Sequence, residues 1–263
     1  MSERDVITKL NEYTTKKYVT LFSRCNAAIL ASLKTAKALG FENVFIPDVA
    51  GWLTYEPYSK KAKLIAHKII TNHGVIDSQT LNLPPKSVLI YHALAGYHTL
   101  QDSKKIVEKA KKQDAIVIED VCGSFSLPTF GDIVVASFGK GKPVNFGTGG
   151  FAATNDEKIH AELQKQQESL DYDMKALLVH LNDVPSRVKY LKTLTQSTKS
   201  DLQKIGFNPV ADKDALVVIV PYTTDEEKSR IETFCKEKEL EIENCPRYIR
   251  SDKKAISIEV KRK

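Results

Sequence analysis

Residues 134–154 read VVASFGKGKPVNFGTGGFAAT: two apolar runs joined by a loop that holds two lysines among glycines. Neither run alternates with polar residues, a pattern that suits strands covered on both faces. A bulky cation has little structural use in so tight a loop. A lysine held at a strand end and partly desolvated can instead lose its proton and attack a carbonyl. Gly147, Gly149 and Gly150 permit positive φ and close backbone approach. Taken alone, such a loop reads more often as a plain solvated turn. A Walker phosphate loop is excluded, because GKGKPVNFG offers no Ser or Thr after either lysine and no helical pattern follows.

Helical and strand-like patterns alternate on the N-terminal side of this stretch. The periodicity predicts a helix over 2–16, a strand at YVTLF, an Ala-rich helix ending at Gly40, then strands at NVFIP, SVLIYHA, AIVIED, DIVVASF and GFAATN. The segment DSKKIVEKAKKQ lies among them as a helix. Alternation of this kind predicts an α/β fold with a mainly parallel sheet flanked by helices. From about Glu157 the texture changes to a long charged helical region reaching Ile205, followed by an ALVVIV strand, a helix from Thr224 and a final ISIEV strand. We expect two domains, 1–160 and a small C-terminal α/β domain over 161–263.

The 263 residues carry a net charge of +6, with Lys and Arg scattered among Asp and Glu rather than massed. No nucleic-acid partner is expected. MSERDVITKL has no apolar leader core, and no stretch approaches the ~18 apolar residues of a membrane span. A cytoplasmic protein with no membrane partner is the expectation. Cys25, Cys122, Cys235 and Cys245 show no CxxC pair or Cys/His metal spacing, so free thiols and no metal are expected.

In an open parallel sheet, ligands sit beyond the carboxyl ends of the strands. AIVIEDVCGSF ends its strand in Glu119 and Asp120, where a carboxylate can keep a heteroaromatic nitrogen protonated or can serve as a surface acid or cap. Ser137 supplies a hydroxyl that can hold a phosphate. The turn SRCNAAIL opens a helix whose N-terminus favours an anion, although Asn26 also reads as a simple N-cap.

The order of these parts resembles the DegT/DnrJ/EryC1/StrS family of sugar aminotransferases, which are pyridoxal-phosphate (PLP) enzymes of the type I, aspartate aminotransferase fold. VIEDVCGSF is similar to the family's I-E-D-A-A-Q segment, and SFGKGKPVNFGTGGFAAT to its S-F-x-x-x-K…G-x-G-G segment. The resemblance implies that Lys142, five residues after Ser137, carries the cofactor as an imine, with Lys140 a neighbour. It further implies that Asp120 pairs with the pyridine nitrogen and that Ser137 contacts the phosphate. Trp52 falls near the aromatic that stacks on the ring. NAAIL resembles the family's G-T-A-A-L turn, which places Asn26 and Ala27 at the phosphate.

This chain departs from the pattern at Cys25-Asn26, where the family has Gly-Thr, and at Gly123, where it has Gln; the following Ser124 is counted with the cofactor residues. The chain is also shorter than the family's members, mostly in the C-terminal half. Asn182 and Arg187 are the nearest equivalents of a family G-x-N-x-R region. Arg247 and Arg250 can serve a donor carboxylate bidentately, or be solvated, while His92, Tyr97 and His98 can line the pocket or the core. The activity implied is amino transfer from an amino acid donor to a carbonyl acceptor, which the sequence leaves open as a sugar or not, in a homodimer. The alternatives are another type I PLP enzyme acting on a small amino acid and a non-catalytic relic of the fold.

Overall fold

The apolar runs become the centre of a seven-stranded sheet. In this computed structural model, which describes residues 2–263, the chain begins with α1 (Glu3–Thr14), β1 (Tyr18–Phe22), α2 (Cys25–Ala38), β2 (Asn43–Pro47), α3 (Tyr55–Lys61), β3 (Ile65–Ile69) and β4 (Ser87–His92). A small hairpin, β5 (Leu94–Ala95) and β6 (Thr99–Leu100), precedes α4 (Ser103–Lys111), β7 (Ile116–Asp120), β8 (Ile133–Ser137) and β9 (Gly150–Thr154). The remainder is α5 (Glu157–Gln164), α6 (Met174–Lys204), β10 (Val218–Pro221), α7 (Asp225–Glu237), β11 (Ile242–Arg247) and β12 (Ser251–Ile258).

The large sheet has the order β1-β9-β8-β7-β4-β2-β3. Only β9 runs antiparallel to its neighbours; the other pairings are parallel. Both faces are covered, which is why its strands read as continuous apolar runs. On β4, Val88 and Ile90 pack with Ile29 and Leu33 of α2, whereas Leu89 and Tyr91 pack on the opposite face with Ile106 of α4 and Leu177 of α6. The period of two also separates the adjacent acids of β7. Buried Glu119 accepts from the backbone N–H groups of Phe130 (2.7 Å) and Gly131 (2.8 Å), tying down the β7–β8 loop. Asp120 opens onto a cavity at the strand end.

The charged region after β9 is two helices, α5 and α6, with a break between them. The 31-residue α6 runs from the large-sheet core at Leu177 to a second core at Leu202, where β10, β12 and α7 contribute Val218, Val220, Ile256, Ile258 and Phe234. The small sheet has the order β10-β12-β11. Its β11, IENCPR, escapes the sequence reading because its Glu, Asn and Pro break the apolar pattern. No helix of the described residues is long and apolar enough to cross a membrane.

Capping separates α2 from α4, α5, α6 and α7. Asp102, Asp156, Asp173 and Thr224 cap α4, α5, α6 and α7 through their side chains. At α2 the N-cap is Arg24 and makes no side-chain cap, so first-turn N–H groups are left for something else.

Candidate active site

A cavity of about 150 Å³ lies where β7 and β8 end, between the start of α2 and the loop after β8. Asp120, Cys122, Ser137, Lys142, Trp52, Tyr97 and the first turn of α2 line it.

Asp120 is 2% exposed, and its carboxylate is held by two donors. Tyr55 donates its hydroxyl to Oδ2 at 2.8 Å and the Cys122 N–H donates to Oδ1 at 2.9 Å. His92 stands behind, its Nε2 3.9 Å from Oδ1. A backbone carbonyl can only accept, so the His92 Nδ1 contact with the Leu94 carbonyl (2.5 Å) puts the proton of a neutral ring on Nδ1. Burial holds this ring neutral, lowering its pKa to about 4 against the partly compensating pull of Asp120.

The two lysines of the loop part company. Lys140 is exposed, whereas Lys142 is half-buried and turned into the cavity. The Lys142 ammonium donates to the Tyr97 hydroxyl and lies 4.5 Å from the Tyr97 ring centroid and 5.0 Å from that of Trp52. Arg187 of α6 clasps the loop from outside, donating from Nε to the Lys142 carbonyl (3.2 Å) and from Nη2 to the Lys261 carbonyl (3.1 Å). Arg187 is therefore a clasp on the backbone rather than a group facing a ligand.

Tyr97 carries this arrangement at a cost. Its φ of +67° is in the left-handed region, which a non-glycine residue occupies at roughly 1–2 kcal/mol. Hydrogen bonds from the N–H groups of Leu216 (2.9 Å) and Val217 (3.1 Å) to its carbonyl hold it there. Its ring also explains Gly123: a Cβ there would stand 2.8 Å from Tyr97 Cδ1 and 3.0 Å from Leu94 Cδ2. The Gln of the family pattern has no room beside this tyrosine. Gly123→Gln is expected to destabilise by roughly 1–3 kcal/mol through overpacking, and Tyr97→Ala in the same chain is expected to restore part of that loss. Urea midpoints of the single and double variants measure the coupling, and additive losses would contradict it.

At the other end of the cavity, Ser137 accepts from the Gly139 N–H (3.1 Å), leaving its own hydroxyl hydrogen free. The N–H groups of Cys25 and Asn26 open the uncapped α2, and the exposed Arg24 adds a guanidinium. Gly149 has a φ of +88°, and a Cβ on Gly150 would stand 2.6 Å from the Cys25 nitrogen. The Gly-x-Gly-Gly run thus seats the start of α2 against β9.

Of the expected cofactor residues, Ala27 and Ser124 lie outside the cavity lining, and Asn26 lines it with its side chain turned to another task. Asn26 is no N-cap; its Oδ1 accepts from the Trp52 indole N–H (2.8 Å) and the Thr54 hydroxyl (3.4 Å), so it sets the angle of the indole. The Ala27 N–H donates to the Arg24 carbonyl (3.0 Å) within the first turn and is not free for an anion. Ser124 faces a separate cavity beside Leu100 and Gln101, because the turn after Cys122 carries it to the other side. Asn182 is exposed on α6, Arg247 pairs with Glu243, and Arg250 is buried against Glu259, so none of the three faces the cavity. His98 is buried away from it, bonded to the Arg250 carbonyl (3.1 Å). Tyr55, which orients Asp120, was missed outright, since nothing in YEPYSKK (55–61) marks a buried phenol 65 residues before its partner.

Burial lowers both His92 and His98 from 6.5 to about 4. Between those values the unfolded chain binds protons that the native rings refuse, so stability falls as pH drops through the window. Each ring is expected to remove about 1.4 kcal/mol between pH 7.5 and 5.5. Urea midpoints at the two values check this, and a midpoint unmoved by pH refutes it.

No protein-family model and no curated protein match the sequence of this chain. Solved structures do match its fold. An SPT solved with PLP as its internal aldimine superposes with a TM-score of 0.77 at 15% identity, over 97% of this chain and 70% of that one. An aspartate aminotransferase of subgroup IV from Thermus thermophilus gives 0.75 at 14%, over 99% and 86%. NtdA from Bacillus subtilis, solved with its bound cofactor PMP, gives 0.71 at 14%, over 98% and 72%. The chain has the type I fold of the PLP-dependent transferases.

Proposed function

We propose that the protein is a PLP-dependent aminotransferase, resembling nucleotide-sugar aminotransferases, that moves an amino group from an amino acid donor to a carbonyl acceptor. The observation that carries this reading is the convergence of the Lys142 amine and the Asp120 carboxylate on one cavity whose far end is an uncapped helix N-terminus. The donor set fits the cofactor. Asp120 would hold the pyridine nitrogen, Trp52 the ring and Lys142 the reactive carbonyl carbon; Ser137, Arg24 and the N–H groups of Cys25 and Asn26 would hold the phosphate. The PLP-bound and PMP-bound structures of the same fold support the choice.

When bound, PLP supplies an electron sink for the charge left as a proton leaves the donor's α-carbon. Lys142 Nζ is the base that takes this proton and returns it, and the Tyr97 hydroxyl fixes where that nitrogen rests. Tyr97 itself stays protonated, because burial pushes its phenol well above the ordinary tyrosine value. Tyr55 and the Cys122 N–H keep the Asp120 carboxylate aimed. Trp52, held by Asn26, and the Tyr97 ring exclude water beside Lys142.

The ion pairs that occupy Arg247 and Arg250 leave no C-terminal arginine at the cavity for a donor carboxylate. This favours keeping the second reading, another type I PLP enzyme with a small substrate. A homodimer belongs to either reading. The test is the visible spectrum of the purified protein with added PLP, followed by a screen of amino acid donors and carbonyl acceptors. Cofactor absorbance that bleaches with a donor and returns with an acceptor supports transamination. A protein that leaves the PLP spectrum unchanged sinks the reading.

A further inference from the structure

Sequence spacing gives the cysteines no metal pattern, but the fold brings two of them to one point. Cys25 Sγ, on the first residue of α2, lies 3.5 Å from Cys122 Sγ, just past β7, 97 residues along the chain. An Asp120 carboxylate oxygen completes a cluster whose ligand atoms all lie within 4.8 Å of one another, and all three residues are buried. Two thiolates on a tetrahedral ion, each about 2.3 Å from it, stand ~3.8 Å apart. The observed sulfur separation is already close to that value.

We propose that Cys25, Cys122 and Asp120 form a binding site for a thiophilic divalent cation of the zinc class, with the fourth coordination position open to the cavity. A Cys₂Asp set is hard and soft in the proportion that such ions accept. The carboxylate has the outer-shell donors that orient a metal ligand, the Tyr55 hydroxyl at 2.8 Å and the Cys122 N–H at 2.9 Å. Binding one M²⁺ releases two thiol protons and leaves a net charge of −1 on the three ligands and the ion. The Lys142 ammonium, on the same cavity, balances that charge.

The alternative fate of the pair, a disulfide, needs the sulfurs to close to about 2.05 Å. The backbone of Cys25 is wedged against Gly150, whose absent Cβ would fall 2.6 Å from the Cys25 nitrogen and 2.7 Å from its Cα. An ion bridges the existing gap without moving it. Since Asp120 also faces PLP in the proposed function, ion and cofactor compete for one carboxylate.

The experiment is titration of the reduced 263-residue chain with Cd²⁺ alone and with Co²⁺ alone, without PLP. One equivalent bound, with thiolate-to-metal charge-transfer absorption and the visible bands of tetrahedral Co²⁺, is expected. Cys25→Ser and Cys122→Ser should each abolish the charge-transfer band. Tyr55→Phe, which keeps all three ligands, should weaken binding by about 10–100-fold, and Cys235→Ala in the second core should leave the titration unchanged. Circular dichroism of each variant separates lost ligands from lost fold. Absence of the band in the parent protein overturns the proposal, as does a band that survives both cysteine variants. A final arm, which rests on the proposed function, preloads Cd²⁺ and measures PLP uptake; undiminished uptake beside a bound ion refutes the competition at Asp120 and leaves the ion site standing.

Discussion

Lys142→Ala is expected to abolish covalent capture of PLP and to lower the rate of donor deamination by at least about 10²–10⁴-fold, the share that a positioned base contributes. Lys140→Ala is expected to change neither, although it stands two residues away on the same loop. The difference is geometric. Lys140 is exposed, while Lys142 reaches the cavity beside Trp52 and Tyr97, and its backbone carbonyl is pinned by Arg187. Borohydride reduction of the PLP-loaded protein followed by peptide mapping reads the attachment point directly. Label on the peptide at Lys140 in the parent protein would move the reacting amine and sink the assignment. Retained capture in Lys142→Ala with no label elsewhere would leave PLP as a noncovalent guest and remove the proposed mechanism.

The sheet was legible because its strands carry a signal that only double-sided burial produces. VVAS, IVIED and SVLIY lack polar alternation, and each became a strand with helices over both faces. The sequence also singled out the loop at 134–154, where the glycines were correctly read as sites of positive φ and close approach. What it could not supply was the direction of side chains across long separations. Asn26 looks like a helix cap in SRCNAAIL, yet the helix begins one residue earlier and its amide oxygen turns to Trp52. Tyr55, Arg187 and the pairing of Cys25 with Cys122 depend on contacts between distant parts of the chain, and no local pattern encodes them. Gly123 shows the same limit from the other side. As a departure from a family pattern it reads as a loss, but in the fold it is the space that the Tyr97 ring occupies.

Glu259→Gln is expected to lower stability by about 3–5 kcal/mol, the cost of leaving buried charge without its partner, and to lower the melting temperature by roughly 10 °C. Glu259 is fully buried and serves two cations. Its carboxylate accepts from Arg250 Nε and Nη2, both at 2.7 Å, and from Lys261 Nζ at 2.6 Å, with the Ser257 hydroxyl at 2.8 Å. Burial alone would raise its pKa, but Arg250 and Lys261 outweigh burial and hold the carboxyl well below the ordinary glutamate range. A folded-state pKa that is depressed contributes stability above the unfolded value and loses it only as pH falls through the folded one. Glu259 therefore stays ionised throughout pH 5.5–7.5 and adds no slope to the histidine effect in that window, whereas Lys261, lowered by burial to about 8, begins to lose its proton at the top of it. Gln keeps the shape and removes the charge, leaving two cations packed against the Tyr97 ring, 4.9 Å and 5.4 Å from its centroid. Lys261→Met in the same chain removes one of those cations and should recover part of the loss, as paired charges within one network are not additive. Thermal melts of the parent, single and double variants decide the point: a Glu259→Gln melt within a degree or two of the parent would mean that the two cations reach water and that the buried carboxylate is not what stabilises them.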